Sequence, residues 1–280
     1  MKLKKFFSIL ATGALTAALF TGCGGGETPP PDIKIGMIKC LNVSEELVDK
    51  LVHDAEKKAG IKISNHVTTF YDSLPMLEMG LTSGSVEEAS TYKCVADYFI
   101  ARNPNLQLVS EHNQLKLSDS FGFAMRAADT ELKKSVDAAI QAMTDDGTLA
   151  QITKTYITDL TGTAEPPAVA FETFYDAEPL KIGITGDLPP LDLILANGTP
   201  SGFNTAMLAE IGKRLHRNIE VVQIDSASRA AALTSGKIDL AFWAVVPVDS
   251  DMPADLDKPD GIEISAPYFK DEIVHVDLKK

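Results

Sequence analysis

Two apolar runs of strand length, IKIGMIKC at residues 33–40 and LKIGITGD at 180–187, each precede a stretch with helical spacing. In the first stretch Leu47, Val48, Leu51, Val52 and Ala55 fall on one face, with Asn42 or Ser44 as N-cap and Gly60 as stop. In the second, Met207, Leu208, Ile211 and Leu215 share a face and Asn204 is the expected cap. Both copies continue with a β-rich run (NHVTTFY, NIEVVQI), a short helix and the same stop, LTSG, at 81–84 and 233–236. The glycine of that stop suits a left-handed residue that ends a helix and turns the chain into the next buried strand. The order strand, helix, strand, helix, glycine, strand predicts two β-α-β-α-β units. Right-handed crossovers make each a small, mostly parallel sheet with helices on both faces. The expected fold class is therefore α/β with two lobes.

Between the copies, Asp129–Ile157 predicts two helices. The first carries Leu132, Val136, Ile140 and Met143 inward; after a turn at Asp146-Gly147 the second carries Leu149, Ile152 and Tyr156. Residues 161–179 read as a linker of which Phe171, Phe174 and Tyr175 pack part. In α/β lobes of this kind a ligand sits at the carboxyl ends of the strands, in the crevice between the lobes, and a hinge lets them close on it.

The first 22 residues change the compartment. Lys2, Lys4 and Lys5 precede an apolar run from Phe6 to Phe20, and Thr21 and Gly22 precede Cys23. That is a signal peptide with a small-residue cut site, its apolar run too short to span comfortably. Residues 1–22 are expected to be removed. The site resembles a bacterial lipobox, which implies that Cys23 is lipidated and that 23–32 form a Gly- and Pro-rich tether to the bilayer. The net charge of −13 argues against nucleic acid as a partner. Two cysteines remain, Cys40 and Cys94, a candidate disulfide in an oxidising compartment or else two small buried residues. The five histidines form no i, i+3 or i, i+4 pair, so neither metal nor cofactor is expected.

The stretches GDLPPLDLILANGTPSGFNTAMLAEIGKRL, SRAAALTSGKIDLAF and ISAPYF resemble the first lobe of the extracellular solute-binding proteins of amino-acid ABC importers. TTFYDSLPMLEMGLTSGSVEEASTYKCVADYFIARNPNLQLV resembles that family's second lobe, and FGFAMRAADTELKKSVDAAIQAMTDDGTLAQITKTY its closing helices. The resemblance implies a periplasmic-binding-protein-like fold of type II in circularly permuted order. Residues 33–126 would be the family's second lobe, 127–160 the closing helices packing on the other lobe, 161–179 the linker joining the old ends, and 180–280 the family's first lobe, ending in a hinge strand. It also implies binding of a small polar solute without catalysis, an ABC permease as partner, and a monomer held at the membrane outside the cytoplasm. Two other readings stand beside it: a ligand-sensing or degenerate module for a membrane partner, and a dehydratase-like enzyme on the same scaffold.

The family's charged anchors for an amino acid are missing. Trp243 and Ala244 stand in the polar positions after the GKID strand, and Asp251 stands where an arginine would clamp a carboxylate. Tyr92 stands in the place of the acid that would pair with an ammonium. The remaining candidates are Arg229, which matches an arginine of acidic-ligand binders; Asp187 and Asp192, which flank LPPL; and Lys39, Cys40 and Asn42, at a strand end before a helix N-terminus where an anion would fit. The acidic run VDSDMPADLDKPDG at 248–261 lacks the glycine and final glutamate of a calcium loop and reads as a solvated insertion.

Overall fold

The two LTSG stops end two helices, Leu74–Ser83 and Arg229–Thr234, in the same way. Gly84 and Gly236 adopt φ of 73° and 72°, and the chain then enters a strand through the buried Val86 or Ile238. A computed structural model of the protein describes residues 32–60, 65–109, 117–248 and 252–279. The leader, Cys23 and all of the tether but Asp32 lie outside the described residues.

The first unit runs β1 (Asp32–Ile38), α1 (Glu45–Ala59), β2 (Asn65–Tyr71), α2 (Leu74–Ser83), β3 (Glu88–Tyr92), α3 (Lys93–Arg102) and β4 (Leu106–Leu108). β5 (Ser118–Arg126), α4 (Thr130–Asp145) and α5 (Thr148–Thr153) follow, the last continued by a π turn, Lys154–Thr158. The second unit runs β6 (Pro179–Ile184), the short β7 (Asp187–Leu188), β8 (Asp192–Ile194) and β9 (Pro200–Ser201), then α6 (Phe203–Leu215), β10 (Asn218–Gln223) and α7 (Arg229–Thr234). It closes with β11 (Leu240–Val248), β12 (Ile262–Ile264) and β13 (Phe269–Leu278).

The two units have the same topology. β2-β1-β3 and β10-β6-β11 are parallel triplets, each extended by an antiparallel strand: β13 beside β3 and β5 beside β11. β13 belongs to both lobes. Phe269–Glu272 pair with β5, and Ile273–Val276 pair with β3. The lobes are thus joined by the chain between β4 and β5 and by β13 itself, the hinge strand expected at the end of 180–280.

Local chemistry sets most element ends. The Ser44 hydroxyl caps α1 by accepting the Leu47 N–H, and Gly60 closes it with φ of 68°. Asn204 does not cap α6: it lies buried within the helix and its Oδ1 accepts the Tyr268 hydroxyl at 2.9 Å. α4 and α5 pack on α6, with Arg214 donating to Asp146 at 2.7 Å and to Thr148 at 3.1 Å. In the 161–179 segment the Phe174 backbone pairs with the Asn218 side chain and its ring lies 4.3 Å from that of His216, whereas Tyr175 is exposed.

Candidate functional site

Helix α1 is amphipathic, yet its apolar face does not close fully on the sheet. Glu56 is its only buried residue. Val48, Leu51 and Val52 instead line one wall of a cavity of about 140 Å³, opposite Ile35 and Met37 of β1. The cavity reaches the junction of the lobes, where Cys40, Tyr92, Asp119, Trp243 and Asp257 border it; at its far end lie Glu56, His66 and His275.

Trp243 reaches the cavity through a bulge. The β11–β5 register shifts between Ala241 and Ala244, and Trp243 takes φ of 63°. That region is costly for a bulky side chain, and bulges of this kind re-aim residues beside functional sites. The ring is 5% exposed, stands edge-on to Tyr92 at 6.1 Å, and carries the Arg229 guanidinium 4.8 Å above it. Among the described residues its indole Nε1 has no hydrogen-bond partner.

Asp119, at the start of β5, accepts the Tyr92 hydroxyl at 3.0 Å on Oδ2. Burial raises its carboxyl to about 6; the Tyr92 bond opposes that shift and nearby Asp257 adds to it. Burial and Asp119 together push the Tyr92 phenol up. At the far end the His66 ring lies 3.4 Å from Glu56, and His275 Nδ1 lies 2.8 Å from Glu88.

The anion place expected near Lys39, Cys40 and Asn42 is filled by the protein itself. Asp257 accepts the N–H groups of Leu41 and Asn42 on Oδ1, at 2.6 and 2.9 Å, and that of Val245 on Oδ2, at 3.2 Å. The segment read as a solvated acidic insertion therefore carries a side chain that is 1% exposed and straps the lobes together. Burial raises the Asp257 carboxyl and the Arg229 charge opposes that rise.

Arg229 is not offered to a ligand. It is 1% exposed and donates to four backbone carbonyls: Ser226 at 3.1 Å, Phe242 at 3.2 Å, Trp243 at 2.7 Å and, across the lobes, Lys39 at 2.9 Å. These bonds use most of its five N–H donors. Asp192 is also internal. Its Oδ2 accepts the Thr185 N–H, the Thr185 hydroxyl and the Gly186 N–H, each at 2.8 Å, bracing the turn before β7, and burial raises its carboxyl to about 6. Asp187 is half-buried and away from the cavity, its carboxyl raised by burial. Ala244 points into a small core with Ala124 and Ile238, and Lys39 and Asn42 are exposed at the strand end.

Of the sequence candidates, Cys40, Tyr92 and Trp243 meet at the cavity; Asp187, Asp192, Arg229, Ala244, Lys39 and Asn42 do not line it. Both cysteines are free thiols, so the candidate Cys40–Cys94 bond is not formed. They sit in different settings. Cys40 lies beside Asp257 and Arg229, whereas Cys94 opens α3 with its N–H donated to Asp271 at 2.9 Å. Burial pushes both thiols up. Asp119, Asp257 and the Glu–His pairs were not singled out in the sequence. Among the described residues no cluster of three or more His, Cys, Asp or Glu is arranged to hold a metal, and no helix is long and apolar enough to cross a membrane.

Residues 180–250 match the model of the bacterial extracellular solute-binding proteins, family 3. No curated protein sequence matches the chain. Among solved structures the chain is similar to the ligand-binding component of an ABC-type import system from Staphylococcus aureus, with 12% identity, 88% of this chain and 65% of that one covered, and a TM-score of 0.43. It thus spans less than two thirds of that protein's length. An ABC-transporter periplasmic substrate-binding protein from Coxiella burnetii is similar at 12% identity over 88% and 84% of the two chains, TM-score 0.37. The alkanesulfonate-binding protein from Xanthomonas axonopodis is similar at 12% identity over 90% and 67%, TM-score 0.40.

Proposed function

We propose, from the family-3 solute-binding signature of residues 180–250, that this protein binds a small solute and hands it to an ABC permease. The observation that carries the reading is the cavity between α1 and the sheet of the first unit, which opens at one end onto the place where the two lobes meet. It has a largely apolar lining and holds a few convergent polar groups at the carboxyl ends of β1 and β3, which is how small-molecule sites on α/β lobes are built. Within the same proposal Cys23 is acylated, 23–32 tether the body to the outer face of the membrane, and the protein works as a monomer without a catalytic step. The segment order is proposed to be a circular permutation, with 33–126 standing for the family's second lobe, 127–160 for its closing helices, and 180–280 for its first lobe.

The cross-lobe bonds of Arg229 and Asp257 support a closed arrangement whose opening would admit the solute. A thermal-shift screen of amino acids, dipeptides, organic acids and amines tests the binding reading. A ligand at about 100 times its Kd adds roughly 2.7 kcal/mol, which is readily seen, and a broad library that shifts nothing removes the reading. Labelling of wild type but not Cys23→Ala by a fatty-acid tracer tests the anchor. A chain reordered as 161–280 followed by 33–160, which keeps the packed 161–179 segment, tests the permutation: it should fold with a urea midpoint close to that of wild type.

A further inference from the structure

The charge of the cavity selects among small solutes. Its lining contains the carboxyl groups of Glu56, Asp119 and Asp257, and among the described lining residues there is no lysine or arginine. Two of the three acids are accounted for. Asp257 accepts three backbone N–H groups with the Arg229 charge beside it, and Glu56 faces His66. Asp119 is different. Its Oδ2 accepts one phenol hydroxyl, the one hydrogen bond found for its carboxylate among the described residues. The residue is only 7% exposed. A carboxylate buried in this way needs an opposite charge or strong donors, and the fold supplies one neutral donor.

Two further features stand beside it. Tyr92 and Trp243 both border the cavity at this end; the Arg229 guanidinium lies 4.8 Å from the Trp243 ring centroid, so the Trp243 ring already holds one cation and the Tyr92 ring is the aromatic group left beside Asp119 for another. The indole Nε1 of Trp243, a donor only, is buried without an acceptor among the described residues. The other walls are aliphatic. A volume near 140 Å³ matches a body of about six to eight non-hydrogen atoms, since a cavity of about 150 Å³ takes benzene.

We infer that the cavity takes a small monocation with an aliphatic body and one neutral oxygen, an amino alcohol in type, with its ammonium against Asp119 and its oxygen available to the Trp243 N–H. This rests on reading the cavity as the solute site. It also gives the missing charged anchors a meaning: with no arginine to clamp a carboxylate, a zwitterion or an anion would leave its negative group unpaired among buried acids, and such differences in pairing dominate selectivity.

Titration calorimetry of the full-length protein in detergent tests it with three ligands that share one branched body: valinol, valine and 3-methylbutanoate. Valinol should bind at least tenfold more tightly than either of the others. Asp119→Asn should weaken valinol at least tenfold. Trp243→Phe, which keeps a ring and removes the N–H, should weaken valinol severalfold and leave 3-methylbutylamine unchanged; near-wild-type melting of each variant confirms that it folds. Valine or 3-methylbutanoate binding as well as valinol overturns the inference, as does unchanged valinol affinity in Asp119→Asn or no amine binding at all. The solute-binding reading survives each of those results and falls only if the wider screen is also empty.

Discussion

Arg229→Met removes a charge from the middle of the molecule and keeps much of the side chain's length and apolar volume. The wild-type guanidinium donates four bonds of 2.7 to 3.2 Å to the carbonyls of Ser226, Phe242, Trp243 and Lys39. Three of these hold α7 and the β11 bulge together, and the fourth crosses the lobes. Bonds to a charged group are each worth about 1.5–3 kcal/mol, but they share one side chain and do not add. Removing one member of a buried charged array costs about 3–5 kcal/mol, because the partners stay buried and unpaired. We expect a loss in that range for Arg229→Met, read from urea denaturation followed by circular dichroism. The double variant refines it. The Arg229 charge opposes the burial that raises the Asp257 carboxyl, so Asp257→Asn should cost about 1–2 kcal/mol less in the Arg229→Met background than in wild type. A loss below about 1 kcal/mol for Arg229→Met, or strict additivity of the two changes, would refute the argument that this arginine ties the lobes through buried carbonyls and neutralises Asp257.

Further outcomes follow from the same contacts. Asp119 and Asp192 have carboxyls raised to about 6 from 3.8, so the folded, ligand-free protein keeps two protons that the unfolded chain has released. Their contribution to stability is fully present below about pH 4 and is lost as pH rises through 6, on the order of 3 kcal/mol each. The groups facing Asp119 are Tyr92, Cys40, Asp257 and, across the strand pair on β13, Asp271; Asp192 faces Thr185, Gly186 and Asp187. Urea midpoints of Asp192→Asn should therefore fall less steeply than those of wild type between pH 4.5 and 7, and parallel curves would count against the assignment. In β5, Gly122→Ala places a Cβ 2.5 Å from Ile264 Cγ2 and 3.1 Å from the Ser265 carbonyl. It should lower stability by about 1–3 kcal/mol, seen as a lower Tm. Cys94 is buried and its thiol is pushed up, so it should alkylate only after denaturation; its rapid reaction in the native protein would contradict the structure.

Much of the scaffold was legible along the chain because its signals are local. Helical spacing in 45–59 and 203–215, β-rich runs at 65–71 and 218–223, and the two LTSG glycines depend on period and backbone angle, which neighbouring residues impose. Tyr92, Trp243 and Cys40 were within reach because the ends of parallel strands border the crevice. The helix start of α6 was missed because Asn204, a good cap by type, is recruited by Tyr268, 64 residues away.

The balance of charge at the cavity belongs to the tertiary structure alone. Arg229 reads as a free cation at a helix start, yet its donors are taken by carbonyls up to 190 residues distant. Asp257 sits in a run whose composition says solvent, yet it is the strap that occupies the strand-end N–H groups. Asp119 is one polar residue in a strand, SDSFGFAMR, and gains its meaning from Tyr92, Trp243 and the absence of a lysine or arginine among the described residues that line the cavity. By itself the sequence determined the repeated units and their stops, since period and turn chemistry act over a few residues. Which charges remain available to a ligand was decided only when distant segments met, because pairing and desolvation depend on neighbours in space.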